Sequence, residues 1–246
     1  MNNFFLENII NQKLLTHQYA DVVPNGLQIQ GSKIVKKIIT GVTACQKLLD
    51  ISLSYNADTI IVHHGYFWKN ESRYIHNIQR KRLKTILSNN INLYSWHLPL
   101  DIHPQLGNNA QIAKKLNICI KGNILPYVFW GVIKKTTGFK FAKKIEKAYK
   151  KRPIHLYENA SIYINRIAWC SGKGQGFIKK AYTFGIDAFL TGEISEETIH
   201  IARELGIHFF ALGHHATEKD GIRYLGKWLH KKYNLDVDFI DVYNPA

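Results

Sequence analysis

The strongest constraint on this chain is a repeated alternation. Short continuous apolar runs, each closed by glycine or a polar residue, are followed by stretches with helical spacing. The runs are "KIITGV" (37–42), "DTIIVHH" (58–64), "INLYSWH" (91–97), "RIAWCSG" (166–172), "DAFLTGE" (187–193) and "HFFALGH" (208–214). Runs without strict polar alternation suit strands buried on both faces, as in parallel sheets covered by helices. Between them, "CQKLLDISLSYN", "QRKRLKTILSNN", "GFIKKAYTFG" and "SEETIHIARELG" read as helices, several closing on Asn or Gly. The alternation predicts an α/β fold. The pattern turns irregular near "GNILPYVFWGV" (122–132), which places a boundary between an N-terminal half, 1–124, and a C-terminal half, 125–246.

With 246 residues, 46% of them hydrophobic, the chain can bury a substantial core. It has no apolar run of about 18 residues and its N-terminus lacks the pattern of a signal peptide, so a cytoplasmic protein with no membrane partner is expected. Cys45, Cys119 and Cys170 are odd in number and lack C-x-x-C spacing, so they read as buried thiols rather than a disulfide framework or zinc ribbon. The net charge of +15 invites a nucleic-acid partner. Against it, 26 of the 33 basic residues are Lys and 7 are Arg, and Arg is the residue of bidentate phosphate and base contacts. Codon bias is the competing account. The densest basic run, 134–152, carries Phe141, Ile145 and Ala148 at amphipathic helical spacing.

An internal echo gathers the candidate chemistry. The order "IITGVTAC", helix, "NADTIIVHHG", helix, "LYSWHLPLD" is followed later by "IAWCSGKGQG", helix, "GIDAFLTGE", helix, "FALGHHATE". His97 and Asp101 occupy in the first half the place of His214 and Glu218 in the second, while His63 and His64 correspond to Gly192 and Glu193. Two similar α/β halves facing each other would build a site at the carboxyl ends of their strands, where open α/β sheets gather their functional groups. His63 and His64 share one site only if the strand stops there, with Gly65 freeing the backbone. A helix starting after Gly213 puts His214 and Glu218 on one face at i and i+4, whereas His215 pairs with Lys219, so His214 is the expected ligand and His215 should point away. Imidazole and carboxylate donors suit Zn, Mn, Fe, Co or Ni, and a shared carboxylate suits two ions.

Other features have two accounts each. "SGKGQG" (171–176) is either a tight turn or a phosphate cradle. Glu193, Glu196 and Glu197 with His200 read as an acidic helix start favoured by the dipole, or as part of a site. Tyr66, Phe67 and Trp68 either join the core or wall a pocket that stacks a base.

With these residues placed, the chain resembles the GTP cyclohydrolase type 2 homologues, or NIF-three-like proteins, most closely their bacterial YbgI branch. The resemblance runs essentially the full length through "PNGLQIQG" (24–31), "GVTACQKLLD" (41–50), "IIVHHGYFWKNES" (60–72), "NLYSWHLPLDIHPQLGNNAQIA" (92–113), "DAFLTGEISEETIHIARE" (187–204) and "GHHATEKDGIRYL" (213–225). It implies two interlinked α/β domains with mixed sheets covered by helices, and a metal site between them at strand ends. Two divalent metal ions per subunit are implied on His63, His64, Asp101, His214 and Glu218, with His97 lining the site, and a toroidal homohexamer is implied as the assembly. Two functions follow as expectations. One is a metal-dependent hydrolase of a purine nucleotide, with Glu218 and Asp101 holding the ions and His97 relaying a proton. The other is a basic ring that binds nucleic acid, linked to protection from DNA damage, with structural or regulatory metals.

Overall fold

The computed structural model describes residues 1–246. Its contacts divide into two units, 1–107 with 219–243 and 108–218 with 244–246. The boundary expected at 124/125 would instead cut a strand, Cys119–Leu125, and a single helix, His214–Tyr233, carries the chain from the second unit back into the first. The irregular stretch near residue 122 is an antiparallel hairpin, and its half-exposed strands hide the period.

The first unit opens with α1 (Asn3–Leu14), whose N-terminus is capped by the Asn2 side chain accepting from the Phe4 and Phe5 N–H groups. Then come β1 (Gly26–Ile29), β2 (Lys37–Thr43), α2 (Gln46–Ser54), β3 (Thr59–His64), α3 (Asn77–Ser88), β4 (Asn92–Ser95) and α4 (Leu98–Ile102). The second unit contains α5 (Asn108–Lys115), β5 (Cys119–Leu125), β6 (Val128–Thr137), α6 (Gly138–Tyr149), β7 (Ile154–Leu156), β8 (Tyr163–Trp169), α7 (Ile178–Thr183), β9 (Ala188–Thr191), α8 (Glu196–Leu205) and β10 (His208–Ala211). Helix α9 (His214–Tyr233) leads to β11 (Asp236–Phe239).

The first sheet has the order β1-β4-β3-β2-β11. Strands β11, β2, β3 and β4 run parallel, and β1 closes the edge antiparallel to β4. Successive strand residues point to opposite faces. Ile38, Ile61 and Tyr94 therefore meet Leu6, Ile10, Ile222 and Leu225 on one side. Ile39, Ile60, Val62 and Leu93 meet Leu48, Leu49, Leu83 and Ile86 on the other. Each such side chain, fully buried, contributes about 1.5–3 kcal/mol.

The second sheet has the order β5-β6-β8-β9-β10-β7. Its centre repeats the plan of the first: β8, β9 and β10 are parallel neighbours in chain order, with an antiparallel strand, β7, beyond the last. Trp169, Leu190 and Phe210 pack against Ile112 and Phe141 on one face, and Ala168, Phe189 and Phe209 against Ile178 and Ala202 on the other. The α/β class with two mixed sheets is thus as expected. In the basic run, α6 buries Phe141 and Ile145 and exposes Lys140, Lys143 and Lys147. No helix is long and apolar enough to cross a membrane.

The cysteines differ from expectation. Cys170 is buried, Cys45 is half-buried and Cys119 is exposed, because β5 is the edge strand of its sheet.

Trp169 lies wholly inside the second core, its indole N–H donating to the Asn109 carbonyl at 3.0 Å. Trp169→Ala should destabilise the protein by about 3–5 kcal/mol, read as a lower denaturant midpoint.

Candidate metal centre

In the first unit, β3 outruns its neighbour. Pairing between β3 and β4 ends at Val62 and Ser95, so His63 and His64 project past the last shared rung. Their ring centroids lie 4.6 Å apart although adjacent strand residues diverge in regular pairing. Gly65 serves here through space rather than backbone freedom. A Cβ at this position would stand 2.1 Å from Gln28 Oε1 and 2.7 Å from Ser95 Cβ.

After β4 the chain turns at His97 into α4, where Pro99 sits in the first turn and the Asp101 N–H donates to the His97 carbonyl. Asp101 and His63 are buried, and Asp101 Oδ2 lies 3.6 Å from His63 Nε2. The His97 ring sits 5.0 Å from that of His63 and 5.9 Å from that of His64. One ligand atom from each of these three histidines falls within 4.8 Å of the others.

In the second unit, β10 ends at Ala211 and Gly213, at φ +106°, turns the chain into α9. One helical turn then sets His214 Nε2 2.9 Å from Glu218 Oε2. His215 is buried, gives its backbone N–H to the Ala246 carbonyl and belongs to none of the potential ligand groups. Gly172, at φ +59°, lies directly against this pair. A Cβ there would reach 2.1 Å from Glu218 Oε1 and 3.1 Å from His214 Nε2. "SGKGQG" behaves as a tight turn, with three of its amides engaged inside the fold: Ser171 on Asn109 Oδ1, Gly172 on Thr217 Oγ1 and Gly174 on Thr191 Oγ1.

The four imidazoles share one arrangement. His63 Nδ1 donates to the Trp96 carbonyl at 3.0 Å, His64 Nδ1 meets the Thr43 hydroxyl at 3.1 Å, His97 Nδ1 meets Asp21 at 2.9 Å and His214 Nδ1 meets Glu193 at 2.7 Å. A carbonyl or carboxylate acceptor fixes the proton on Nδ1, which in a neutral ring leaves the lone pair on Nε2. Histidines that bind metals are held in this way. Buried carboxylates beside them require positive charge nearby. The donor set therefore fits divalent ions of the intermediate kind.

Asp21 and Glu193 are the residues that sequence reasoning missed or misplaced. Burial pushes Asp21 up, but hydrogen bonds from His97, Asn25 and the Leu98 N–H, with the charge of His97, hold its carboxyl below the ordinary value. Nothing local marks it, since its partner lies 76 residues away. Glu193 is no part of an acidic helix start: α8 begins at Glu196 with Ser195 as its cap, and Glu193 turns instead to His214. Glu196 pairs with His200 on the exposed face. For His214, burial works to lower the pKa, but the hydrogen bonds and charges of Glu218 and Glu193 override it and raise it to about 9.

This is a two-unit α/β protein with histidine and carboxylate groups able to bind metal ions. Residues 1–245 match the family described as Duf34/NIF3 (NGG1p interacting factor 3), and the chain belongs to it. A Buchnera aphidicola (subsp. Acyrthosiphon pisum) protein named GTP cyclohydrolase 1 type 2 homolog is 78% identical over 247 residues, covering 100% of both chains. The Escherichia coli K12 protein of the same name is 53% identical, again over the full length of both. Among solved structures, the protein ybgI, described as of unknown function, superposes with a TM-score of 0.98 at 53% identity and 100% coverage of both chains. TTHA1606 from Thermus thermophilus does so with 0.92 at 27%, also with full coverage.

Because the folded pKa of His214 exceeds its ordinary 6.5, the folded state holds an extra proton between about pH 6.5 and 9. In metal-free protein that stabilisation is fully present below pH 6.5 and is lost as pH rises through about 9. In Glu193→Gln, the His214 ring protons followed by NMR should titrate at lower pH, and the alkaline decline in stability should flatten.

Proposed function

We propose that this chain is a dinuclear divalent-metal hydrolase acting on a purine nucleotide, with His63, His64, Asp101, His214 and Glu218 holding the ions. The observation that carries the reading is the shared anchoring of the imidazoles at Nδ1, which orients each ring before any ion arrives. The names of the full-length relatives, GTP cyclohydrolase 1 type 2 homolog, support a guanine nucleotide as the substrate class. When bound, a pair of divalent ions supplies Lewis-acid polarisation and brings the pKa of water toward neutrality.

The protein's own part is positional and protonic. Asp101 and Glu218 bring negative charge to the ions, and their burial keeps competing water away. His97 has Asp21 behind it, as a general base needs: the carboxylate fixes the proton on Nδ1, leaves Nε2 to take a proton, and stabilises the imidazolium that results. Glu193 likewise accepts from His214 Nδ1, which fixes that ring with Nε2 toward Glu218 as a ligand rather than as a base.

Elemental analysis of the purified protein should give two divalent ions per chain. Glu218→Ala and His63→Ala should lose metal and turnover with the fold intact by circular dichroism, and Asp21→Asn or Glu193→Gln should weaken metal affinity or activity by about 10–100-fold. Guanine-ring hydrolysis that survives a chelator would refute the hydrolase reading.

The net charge of +15 favours a second reading, a basic homohexameric ring that holds nucleic acid. On that reading DNA affinity falls steeply with salt, with a log–log slope near −0.9 per phosphate contacted. Absence of binding at low salt would remove it.

A further inference from the structure

The segment that follows His64 contains chemistry that metal ligation does not use. Its three aromatic residues part company. Tyr66 goes into the core, where its hydroxyl donates to the Ala44 carbonyl at 2.7 Å, while Phe67 stays exposed and Trp68 half-buried. Phe67 holds φ +65°, a left-handed conformation rare for a bulky side chain. Glu71 holds it there, its Oε2 accepting the N–H groups of Phe67 at 2.8 Å and Trp68 at 3.2 Å. The Trp68 indole N–H donates to the Gly65 carbonyl at 3.2 Å. The indole is thereby fixed edge-on to His97, with centroids 5.1 Å apart at 75°, and 6.0 Å from His64.

Beside this indole lies a cavity of about 370 Å³, walled by Phe67 and Trp68, with Lys69 and Arg73 among its lining residues. That volume is within the range of small-ligand pockets, about 300–1,000 Å³. The one acidic lining residue, Glu71, is turned to the backbone by its two hydrogen bonds. Besides Ser72, Ile75 and Gln79, the cavity offers a ligand an aromatic wall and two cations against a single carboxylate. This combination selects a planar ring that bears an anionic group.

We propose that the cavity is the recognition subsite of the candidate metal centre: the base of a nucleotide stacks on Trp68 and its phosphates meet Lys69 and Arg73. The proposal rests on the hydrolase reading for its meaning, but nucleotide binding is measurable without turnover. Trp68 is a specificity residue here, because its ring also touches His97 and so ties the stacked base to the imidazole cluster.

The test uses metal-loaded full-length protein and three probes, GTP, guanosine and inorganic triphosphate, in equilibrium dialysis, with metal content measured for every variant. GTP should bind the wild type. Trp68→Ala should weaken it about 10–100-fold, Trp68→Phe should restore most of the loss, and metal content should stay unchanged. Arg73→Ala, an exposed change, should weaken GTP and leave guanosine unaffected. Absence of GTP binding by the wild type, unchanged affinity in Trp68→Ala, equal affinity for triphosphate and GTP, or loss of metal from Trp68→Ala would each overturn the proposal. Trp68-dependent binding without turnover would sustain the subsite and sink the hydrolase reading. Turnover indifferent to Trp68 would do the reverse.

Discussion

The candidate ligands depend on hydrogen bonds at the backs of the histidines. An imidazole on a strand end has two torsions to lose, and it ligates well only if both are fixed before the ligand arrives. Four different partners do this work: the Trp96 carbonyl, the Thr43 hydroxyl, and the carboxylates of Asp21 and Glu193. These partners come from separate elements, so the rings are correct only when the sheets are. The parallel pairing of β2 with β3 aligns Thr43 with His64, and the parallel pairing of β3 with β4 brings the Trp96 carbonyl to His63.

Both units meet this demand with the same plan. Three parallel strands in chain order, joined by helices and flanked by an antiparallel strand, deliver a histidine and an acid after the third strand. His97 and Asp101 do so through the short α4, His214 and Glu218 through the start of α9. Covering each sheet on both faces makes the strands rigid, and rigid strands make their carboxyl ends dependable places for polar groups.

Much of this was legible in the sequence, for identifiable reasons. β2, β3, β9 and β10, and the last three residues of β8, are buried on both faces and therefore spell continuous apolar runs. The pairing of His214 with Glu218 follows from helix geometry once Gly213 is seen to break the strand. The hairpin β5–β6 was opaque because its residues are half-exposed and alternate irregularly. The supporting acids were opaque for another reason. Asp21 acts across 76 residues, a distance over which no spacing rule holds, and Glu193 stands so close to α8 that it reads as helix chemistry. The aromatic triplet was ambiguous because strand alternation ends at Gly65, and the rings are sorted by contacts with no local signature, the Ala44 carbonyl for Tyr66 and the Glu71 carboxylate behind Phe67 and Trp68.

The carboxylates of Glu193 and Glu218 stabilise a proton on His214 that it keeps up to about pH 9. In metal-free protein this proton sits where a cation would. Any cation that takes Nε2 must evict it, so loading the site acidifies the solution. The heat of binding in a calorimeter then contains the ionisation enthalpy of the buffer, and titrations in phosphate and in Tris would disagree by the difference between the two enthalpies for each proton released.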